Sequence, residues 1–451
     1  MPSPEPHLRK TMGLGDLILF YIVTGISLRW VAAAAAAGPS SVVIWLGAWI
    51  GFFIPLALAV VELTSRFPGE GGLYRWSQHC FGDFAGFMTG WTYWASNLPY
   101  FPAVLYFTAS NALFLFPEGS AARRLDGDPT YFIAFATVAM IVATALNLVG
   151  LQVGKWLHNL GAIGSWLPAG ILLLVAGIAY TRFGSATHFT PQSLTPMTGL
   201  RDMVFWAGLV FAFGGPESAS FLGDEIRDLR RTLPRALLVS GILVTIGYIL
   251  GTVAILVALP SAELSVLAGF MQAVERSAER IGWHGIGPFA ALLVTIGNLG
   301  AVGAWLTATA RLPFVAGLDR YLPEPFARIH PKWGTPYVAL LTQAGLAVVF
   351  IFLGQAGTTV KGAYDVLVSM GIIAYEIPYL FVFAALIRAQ TMPVGPEVWR
   401  IPGGRPVAIV LAVMGFVVTS LAIVLSLVPT PGETNPALAV LKILGLTAIL
   451  L

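Results

Sequence analysis

FWAGLVFAFGGPESASFLGDE, residues 205–225, is an apolar stretch that is interrupted in its middle. Gly214, Gly215 and Pro216 form the interruption, and Glu217 follows at once. Proline removes one helical hydrogen bond and clashes with the preceding turn. Backbone without hydrogen bonds is costly in lipid, so such a break is tolerated only inside protein or beside a water-filled cavity. A simple proline kink is the alternative, but an acid at this depth favours a functional site.

The composition of the whole chain indicates that lipid is its main solvent. Of the 451 residues, 57% are hydrophobic and 10% are charged, and the mean hydropathy is +0.80. A soluble domain carries about 25% charged residues. The net charge of +3 is small and scattered, so nucleic acid is not an expected partner. The one cysteine, Cys80, excludes an intrachain disulfide.

Apolar stretches of about 20 residues mark membrane helices, because a bilayer core of about 30 Å needs that length. The sequence predicts twelve such spans, at 14–37, 42–64, 84–116, 130–149, 157–180, 202–222, 235–259, 287–312, 336–353, 362–387, 406–428 and 436–451. We therefore expect an all-α polytopic membrane protein with a single transmembrane domain over residues 1–451. Most of the 25 basic residues lie on the cytoplasmic side if the N-terminus is inside. This asymmetry predicts that both termini are cytoplasmic and that the chain spans the cytoplasmic membrane.

A second interruption lies in the first span, where YIVTGISLRW (21–30) contains Thr24-Gly25 and then Arg29. Spans 1 and 6 are corresponding members of two five-helix halves, at about 14–180 and 202–387, with extra helices at about 406–451. Paired interruptions of this kind indicate an inverted-repeat transporter with its site at the bilayer midplane. Half-helix N-termini suit a carboxylate, and half-helix C-terminal carbonyls suit a cation or ammonium group.

Three motifs resemble those of the amino acid–polyamine–organocation (APC) superfamily of permeases. They are ELTSRFPGEGGLYRW (62–76), FAFGGPESASFLGDEIRDLRRTLPRAL (211–237) and ATARLPFVAGLDRYLPEPFARIHPKWGTPYVALL (308–341). The resemblance implies a five-plus-five inverted repeat with broken helices 1 and 6, plus two C-terminal helices. It also implies secondary transport of amino acids or amines, by symport or antiport, and no enzymatic activity. Spans 3 and 10 resemble the polyamine and cationic-substrate branch.

The first span departs from the glycine-rich segment that is usual in the family. Thr24, Gly25, Ile26 and Ser27 stand at the corresponding positions, and Ile26 narrows the site. Relatives in the polyamine branch tend to carry an acid in this span, where this chain has Arg29. A fixed cation there disfavours a polycationic substrate. Arg29 either attracts the substrate carboxylate as part of the outer gate or forms a structural ion pair with Glu217 or Glu376, and the sequence leaves both open.

The candidate substrate site combines the two breaks with nearby aromatic and acidic side chains. Aromatic rings suit the apolar or cationic parts of a substrate. Glu217 and Glu376 could each hold a substrate ammonium, take a coupling proton or tie helices together, whereas a structural tie is expected for Glu62. The substrate-binding candidates are Thr24, Gly25, Ile26, Ser27, Arg29, Tyr93, Trp94, Phe211, Phe213, Gly214, Gly215, Glu217 and Glu376.

The coupling ion is left open by the sequence. No lysine lies between Trp156 and Tyr180, where some family members place an ammonium group in span 5. A sodium ion could therefore bind between the first break and the hydroxyls of Thr307 and Thr309. A proton carried by Glu217, or exchange without any ion, are the alternatives.

The sequence thus predicts a secondary transporter that moves amino acids by alternating access. A polyamine or organic-amine transporter of the same fold is the main alternative, and a non-transporting sensor is a third. The expected partners are a small-molecule substrate and the lipid bilayer, and the oligomeric state stays open. The six histidines fall outside the spans or at their edges, so no catalytic residues, cofactor or metal cluster are expected.

Overall fold

A computed structural model describes residues 13–68, 71–149, 151–196, 199–218, 220, 226–313, 321–429 and 435–451. Within these ranges the chain is helical and contains no strand. The α-helices are α1 (Leu14–Gly25), α2 (Leu28–Ala36), α3 (Ser41–Ala48), α4 (Ile54–Arg66), α5 (Gly72–Phe81), α6 (Asp83–Ala95), α7 (Asn97–Ala112), α8 (Pro129–Val149), α9 (Leu151–Phe183), α10 (Pro191–Leu194), α11 (Leu200–Phe211), α12 (Leu229–Ala258), α13 (Gly269–Arg280), α14 (Ile286–Thr309), α15 (Tyr337–Gln355), α16 (Val360–Ala389), α17 (Gly404–Leu425) and α18 (Pro436–Leu450). A π-helical turn, Trp49–Phe53, joins α3 to α4. The predicted all-α polytopic class is confirmed.

Nine helical segments in the described ranges are long and apolar enough to cross a membrane. They are Ser41–Arg66, Asp83–Leu115, Pro129–Val149, Trp166–Phe183, Leu229–Ala258, Ile286–Pro313, Tyr337–Gln355, Val360–Ala389 and Gly404–Leu425. The first predicted span is split into α1 and α2, α11 has 12 residues before the second break, and α18 has 15. The number of twelve spans and the division into two repeats therefore stay predictions.

We name the two ends of the helix bundle by the segments that lie there. The upper face carries the turn at 37–40 together with α13, which packs against α2. The lower face carries α5 and the segment between α16 and α17. Helix α5 lies within the stretch 67–82 and is amphipathic, with one face buried by Gly72, Leu73, Trp76, Ser77 and Cys80. In the stretch 313–336, Glu324–Ala327 form a short 3-10 helix, and residues 314–320 lie outside the described ranges.

A buried acid ties three segments together at the lower face. The Glu62 side chain is 1% exposed and accepts hydrogen bonds from Arg66 Nη2 at 2.6 Å, Gln390 Nε2 at 2.7 Å and the Ile401 backbone N–H at 2.9 Å. These groups belong to α4, the end of α16 and the segment before α17. Glu62 therefore makes the structural tie that the sequence led us to expect.

Two glycines allow α9 and α14 to pack backbone against backbone. A Cβ atom on Gly164 would lie 2.4 Å from the Gly297 Cα atom, and one on Gly297 would lie 2.5 Å from the Gly164 carbonyl carbon. Any side chain at either position would force the helices apart. This close contact holds the long α9 against α14.

Candidate functional site

The first break separates α1 from α2 and is two residues long. α1 ends at Gly25 and α2 begins at Leu28, while Ile26 (φ −94°, ψ 122°) and Ser27 (φ −122°, ψ 122°) are extended. The Tyr248 hydroxyl of α12 lies 2.6 Å from the Gly25 carbonyl oxygen and accepts the Ser27 N–H at 3.4 Å. The interruption predicted in the first span is confirmed, and the Thr24 side chain lies outside the described part of the chain.

The second break follows α11 and depends on two glycines. A Cβ atom on Gly214 would lie 2.4 Å from Tyr375 Cε1 and 3.0 Å from the Tyr379 hydroxyl, so a glycine is needed for α16 to approach. Gly215 has a φ of +118°, a backbone conformation that favours glycine. The next residues, 216–218, form a 3-10 turn rather than continuing the α-helix. The predicted second interruption is therefore confirmed as a break.

Two tyrosines join the breaks to each other. Tyr21 of α1 donates to the Pro216 carbonyl oxygen at 2.7 Å, and the Tyr248 hydroxyl lies 3.1 Å from the Ala212 carbonyl oxygen. A cavity of about 20 Å³ between the breaks has Tyr21, Gly25 and Pro216 in its lining, which is room for about one water molecule. These tyrosines provide hydrogen bonds to backbone groups that the broken helices leave available. Sequence reasoning missed both of them.

Glu217 lies at the centre of a buried hydrogen-bond cluster. Its side chain is fully buried, and its Oε1 accepts hydrogen bonds from the hydroxyls of Tyr93 (3.1 Å) and Tyr375 (3.0 Å). Its Oε2 accepts the Gly215 N–H at 3.2 Å, which also lies 3.2 Å from the Tyr379 hydroxyl. Since Tyr93 belongs to α6 and the other two tyrosines to α16, the carboxyl group ties the second break to both helices. We call these groups the Glu217 cluster.

A chain of ring contacts leads from the first break to the Glu217 cluster. The Trp30 and Phe211 rings are 5.4 Å apart, Phe211 and Tyr375 are 5.0 Å apart, and Tyr375 and Tyr93 are 5.3 Å apart between centroids. These separations are typical of favourable aromatic pairs. Phe211, a predicted wall of the site, therefore lies between Trp30 and the Glu217 cluster.

Arg29 lies in α2, on the upper side of the first break, and is 3% exposed. Its guanidinium carbon is 4.5 Å from the Trp30 ring centroid and 5.5 Å from that of Tyr100. Within the part of the chain that the structure describes, its Nε atom has no hydrogen-bond partner and no carboxylate oxygen lies within 4.0 Å of the guanidinium group. The ion pair with Glu217 or Glu376 is therefore not formed in this conformation. The guanidinium group instead makes cation–π contacts with Trp30 and Tyr100.

Glu376 lies in α16 next to Tyr375 but outside the Glu217 cluster. The residue is fully buried, and neither carboxyl oxygen has a hydrogen-bond partner in the described ranges. The two predicted acids therefore have different surroundings in the structure. Glu217 is fully hydrogen-bonded, whereas Glu376 is not.

Trp94 and Phe213, both predicted to line the substrate site, contact residues outside the Glu217 cluster. The Trp94 indole donates to Gln343 Oε1 at 2.7 Å, which connects α6 to α15. The Phe213 ring packs against those of Trp45 (5.6 Å) and Tyr248 (5.7 Å), on the α3 and α12 side of the second break. Neither side chain is part of the Glu217 cluster.

The two threonines predicted as sodium ligands are engaged with different helices. The Thr307 hydroxyl donates to Asn147 Oδ1 of α8. The Thr309 hydroxyl accepts from Gln343 Nε2 of α15 at 2.7 Å. These contacts give the sodium site no support, and it stays a prediction. Within the described residues, no group of three or more His, Cys, Asp or Glu side chains could hold a metal ion.

Comparison with known proteins agrees with this architecture. The profile of the family described as "Amino acid permease" matches residues 12–449. An uncharacterized transporter of Legionella pneumophila is 28% identical over 430 residues, which cover 94% of this chain and 90% of the relative.

Several relatives have names that state a substrate. The "Probable agmatine/putrescine antiporter AguD" of Lactococcus lactis is 23% identical over 93% of this chain and 89% of its own length. The serine/threonine exchanger SteT of Bacillus subtilis is 25% identical over 86% of each chain. Since the family match covers nearly the whole chain, and the fold is a polytopic helix bundle, this protein belongs to the amino acid permease family, whose members are membrane transporters and not enzymes.

Proposed function

We propose that this transporter moves amino acids across the cytoplasmic membrane by alternating access, with both termini in the cytoplasm and the substrate held at the two breaks. The observation that carries the proposal is Arg29, a buried guanidinium group with no carboxylate beside it among the described residues. An unpaired buried cation is unfavourable, and an anionic ligand relieves that cost. The carboxylate of an amino acid is such a ligand.

The geometry of the first break supports an amino acid substrate and indicates how it would be oriented. α2 begins at Leu28, so its first N–H groups and the Arg29 side chain lie at one helix N-terminus, where an anion is stabilised. α1 ends at Gly25, where the carbonyl end of a helix suits an ammonium group. The α-carboxylate and α-ammonium of an amino acid therefore fit the two ends of the break. The substrate side chain would pack near Trp30 and Phe211.

The Glu217 cluster supports a gating role for the second break. Glu217 ties the break to α6 and α16 through Tyr93 and Tyr375, and all of these groups are buried or partly buried. Movement of the second break relative to α6 and α16 requires these hydrogen bonds to open. In this conformation Arg29 is 3% exposed and Glu217 is fully buried, so substrate entry needs a conformational change on at least one side.

A polyamine or other organic amine is the second candidate substrate. The observation that favours it is Glu376, whose buried carboxyl group has no hydrogen-bond partner in the described ranges. The resemblance to the putrescine antiporter points the same way. The charge of Arg29 argues against it, because a fixed cation repels a polycation.

Counterflow in proteoliposomes tests the proposal. Protein with unlabelled amino acid inside should take up labelled amino acid, and the Arg29→Ala variant should lose at least about tenfold in rate, or about 1.4 kcal/mol. Arg231→Ala is the matched control, since that side chain is 79% exposed and lies outside the site. Uptake of putrescine or spermidine without uptake of any amino acid would overturn the proposal and favour the amine.

A further inference from the structure

Glu376 is a buried acid that the proposed substrate site does not use. It lies in the middle of α16, which has 30 residues and is one of the candidate membrane spans. The residue is fully buried, and both carboxyl oxygens lack hydrogen-bond partners in the part of the chain that the structure describes. By contrast, both oxygens of Glu217 accept hydrogen bonds.

A carboxylate in such surroundings is strongly disfavoured. Removing an ionised carboxyl group from water without a donor or a counter-ion is far more costly than burying its neutral form. Acids within membrane spans are accordingly paired, or they belong to ion and proton pathways. The surroundings of Glu376 in this conformation therefore accept the protonated carboxyl group.

From this geometry we propose that Glu376 is the residue that binds the coupling proton. The proposal rests on the proposed transport function. The neutral acid is the form held in the closed conformation, and release of the proton accompanies a conformation in which water reaches α16. The coupled process is movement of one proton with the substrate, and no bond other than the O–H bond of the carboxyl group is made or broken.

The contacts of α16 connect this proton to the gate. Tyr375, the residue before Glu376, donates to Glu217 at 3.0 Å. Tyr379, nearly one turn further along, lies 3.2 Å from the Gly215 N–H in the second break. A change in the second break therefore moves the helical turn that carries Glu376, and so changes the solvent access of its carboxyl group.

Other titratable groups lie on the helices around α16, and several of them make contacts of their own. Glu217 and Tyr93 belong to the Glu217 cluster, and Glu62 is held by Arg66 at the lower face. The thiol of Cys80 contacts the Ala385 carbonyl oxygen, and Lys442 of α18 donates to the Gly354 carbonyl oxygen at 2.7 Å. Arg405 of α17 is exposed.

Infrared spectroscopy of the purified protein tests the protonation state directly. At neutral pH the C=O stretching band of a protonated carboxyl group should be present, should be lost in Glu376→Gln and should persist in Glu217→Gln. Thr419→Val is the matched control, because Thr419 on the adjacent α17 is also fully buried, and its hydroxyl has no partner among the described residues but does not titrate. Persistence of the band in Glu376→Gln overturns the proposal.

Transport in proteoliposomes tests the coupling. An imposed pH gradient should drive accumulation of the amino acid in the wild type, and Glu376→Gln should reduce that accumulation by about tenfold or more while exchange stays within about twofold. Three results overturn the proposal: unchanged gradient-driven accumulation in the variant, loss of exchange together with accumulation, or a wild type that exchanges amino acids without responding to the gradient. A wild type that carries no amino acid, yet shows the Glu376 infrared band, overturns the proposed function instead.

Discussion

The hydroxyl oxygen of Tyr248 lies 2.6 Å from the carbonyl oxygen of Gly25, the last residue of α1. The same hydroxyl group accepts the Ser27 N–H and lies near the Ala212 carbonyl oxygen of the second break. One side chain of α12 thus contacts backbone groups of both broken helices. Because unpaired backbone groups are costly in a membrane interior, this contact stabilises the two breaks in a defined relative position.

Replacing Tyr248 with phenylalanine should impair transport. The variant keeps the ring and leaves the carbonyl oxygen of Gly25 without this partner, at a cost of about 1–3 kcal/mol. We expect the initial rate of amino acid uptake to fall by about tenfold, which corresponds to about 1.4 kcal/mol. Tyr106→Phe is the control, since the Tyr106 hydroxyl is buried and donates to Gln355 of α15 rather than to a backbone group of either break. Equal loss of transport in both variants would contradict a role specific to the breaks.

Gly214→Ala should prevent the close approach of α16 to the second break. The added methyl group would lie 2.4 Å from Tyr375 Cε1, so the Tyr375 ring, whose hydroxyl donates to Glu217, or the backbone of the break must shift. We expect a loss of about 1–3 kcal/mol in the free energy of unfolding and little remaining transport. Gly345→Ala in α15 is the control, because no atom of the described ranges lies within 4 Å of its added methyl group. Wild-type uptake by Gly214→Ala would show that the contact with Tyr375 is dispensable.

Two ion pairs at the lower face should differ in their contribution to stability. Glu62 and Arg66 are 1% and 6% exposed, so Glu62→Gln leaves a buried guanidinium group without its counter-ion and should cost about 3 kcal/mol or more. Glu397 and Arg230 are 76% and 50% exposed, and Glu397→Gln should change stability by less than about 1 kcal/mol. Thermal unfolding in detergent measures both variants. Similar thermal midpoints for the two variants would mean that the contacts of Glu62 contribute little to the stability of the protein.

The pH dependence of stability should report on Glu275 of α13, which lies outside the candidate membrane spans. Burial raises the pKa of Glu275 above its usual value of 4.5, against the opposing charge of Arg123. The folded state therefore binds this proton more tightly than the unfolded state, and the unfolding free energy falls as the pH rises from about 4.5 through the raised pKa.

Glu275→Gln removes this titration and should flatten the fall of the thermal midpoint over that pH range. Glu279→Gln is an informative second variant, because the Glu279 charge adds to the rise in the pKa of Glu275. Removing the Glu279 charge should bring the pKa of Glu275 closer to 4.5. The pH range over which the thermal midpoint falls should then become narrower. An unchanged pH profile in Glu275→Gln would assign the titration to another group.

The breaks and the helical class could be predicted because both follow from local chemistry. Pro216 cannot donate a backbone hydrogen bond, and Gly214 and Gly215 before it remove helix propensity. Long apolar runs indicate spans whatever their packing. The breaks were therefore visible without knowledge of any tertiary contact.

The partners of the site residues could not be predicted, because packing between distant segments determines them. Tyr248 lies 223 residues from Gly25, and nothing local distinguishes it from the other 12 of the chain's 13 tyrosines. The sequence left Arg29 between a substrate role and an ion pair, and that choice depended on the position of α2 relative to Glu217 and Glu376. The hydroxyls of Thr307 and Thr309 looked available for sodium because their contacts with Asn147 and Gln343 come from other helices.

The central claim is that Arg29 receives the carboxylate of an amino acid substrate. Inhibition of labelled amino acid counterflow tests it most directly, with each amino acid compared with the amine that lacks only the carboxylate. We expect the amino acid to compete and the matching amine not to compete, and we expect Arg29→Ala to abolish this preference. Equal competition by the amines in the wild type, or an unchanged preference in Arg29→Ala, would contradict the account.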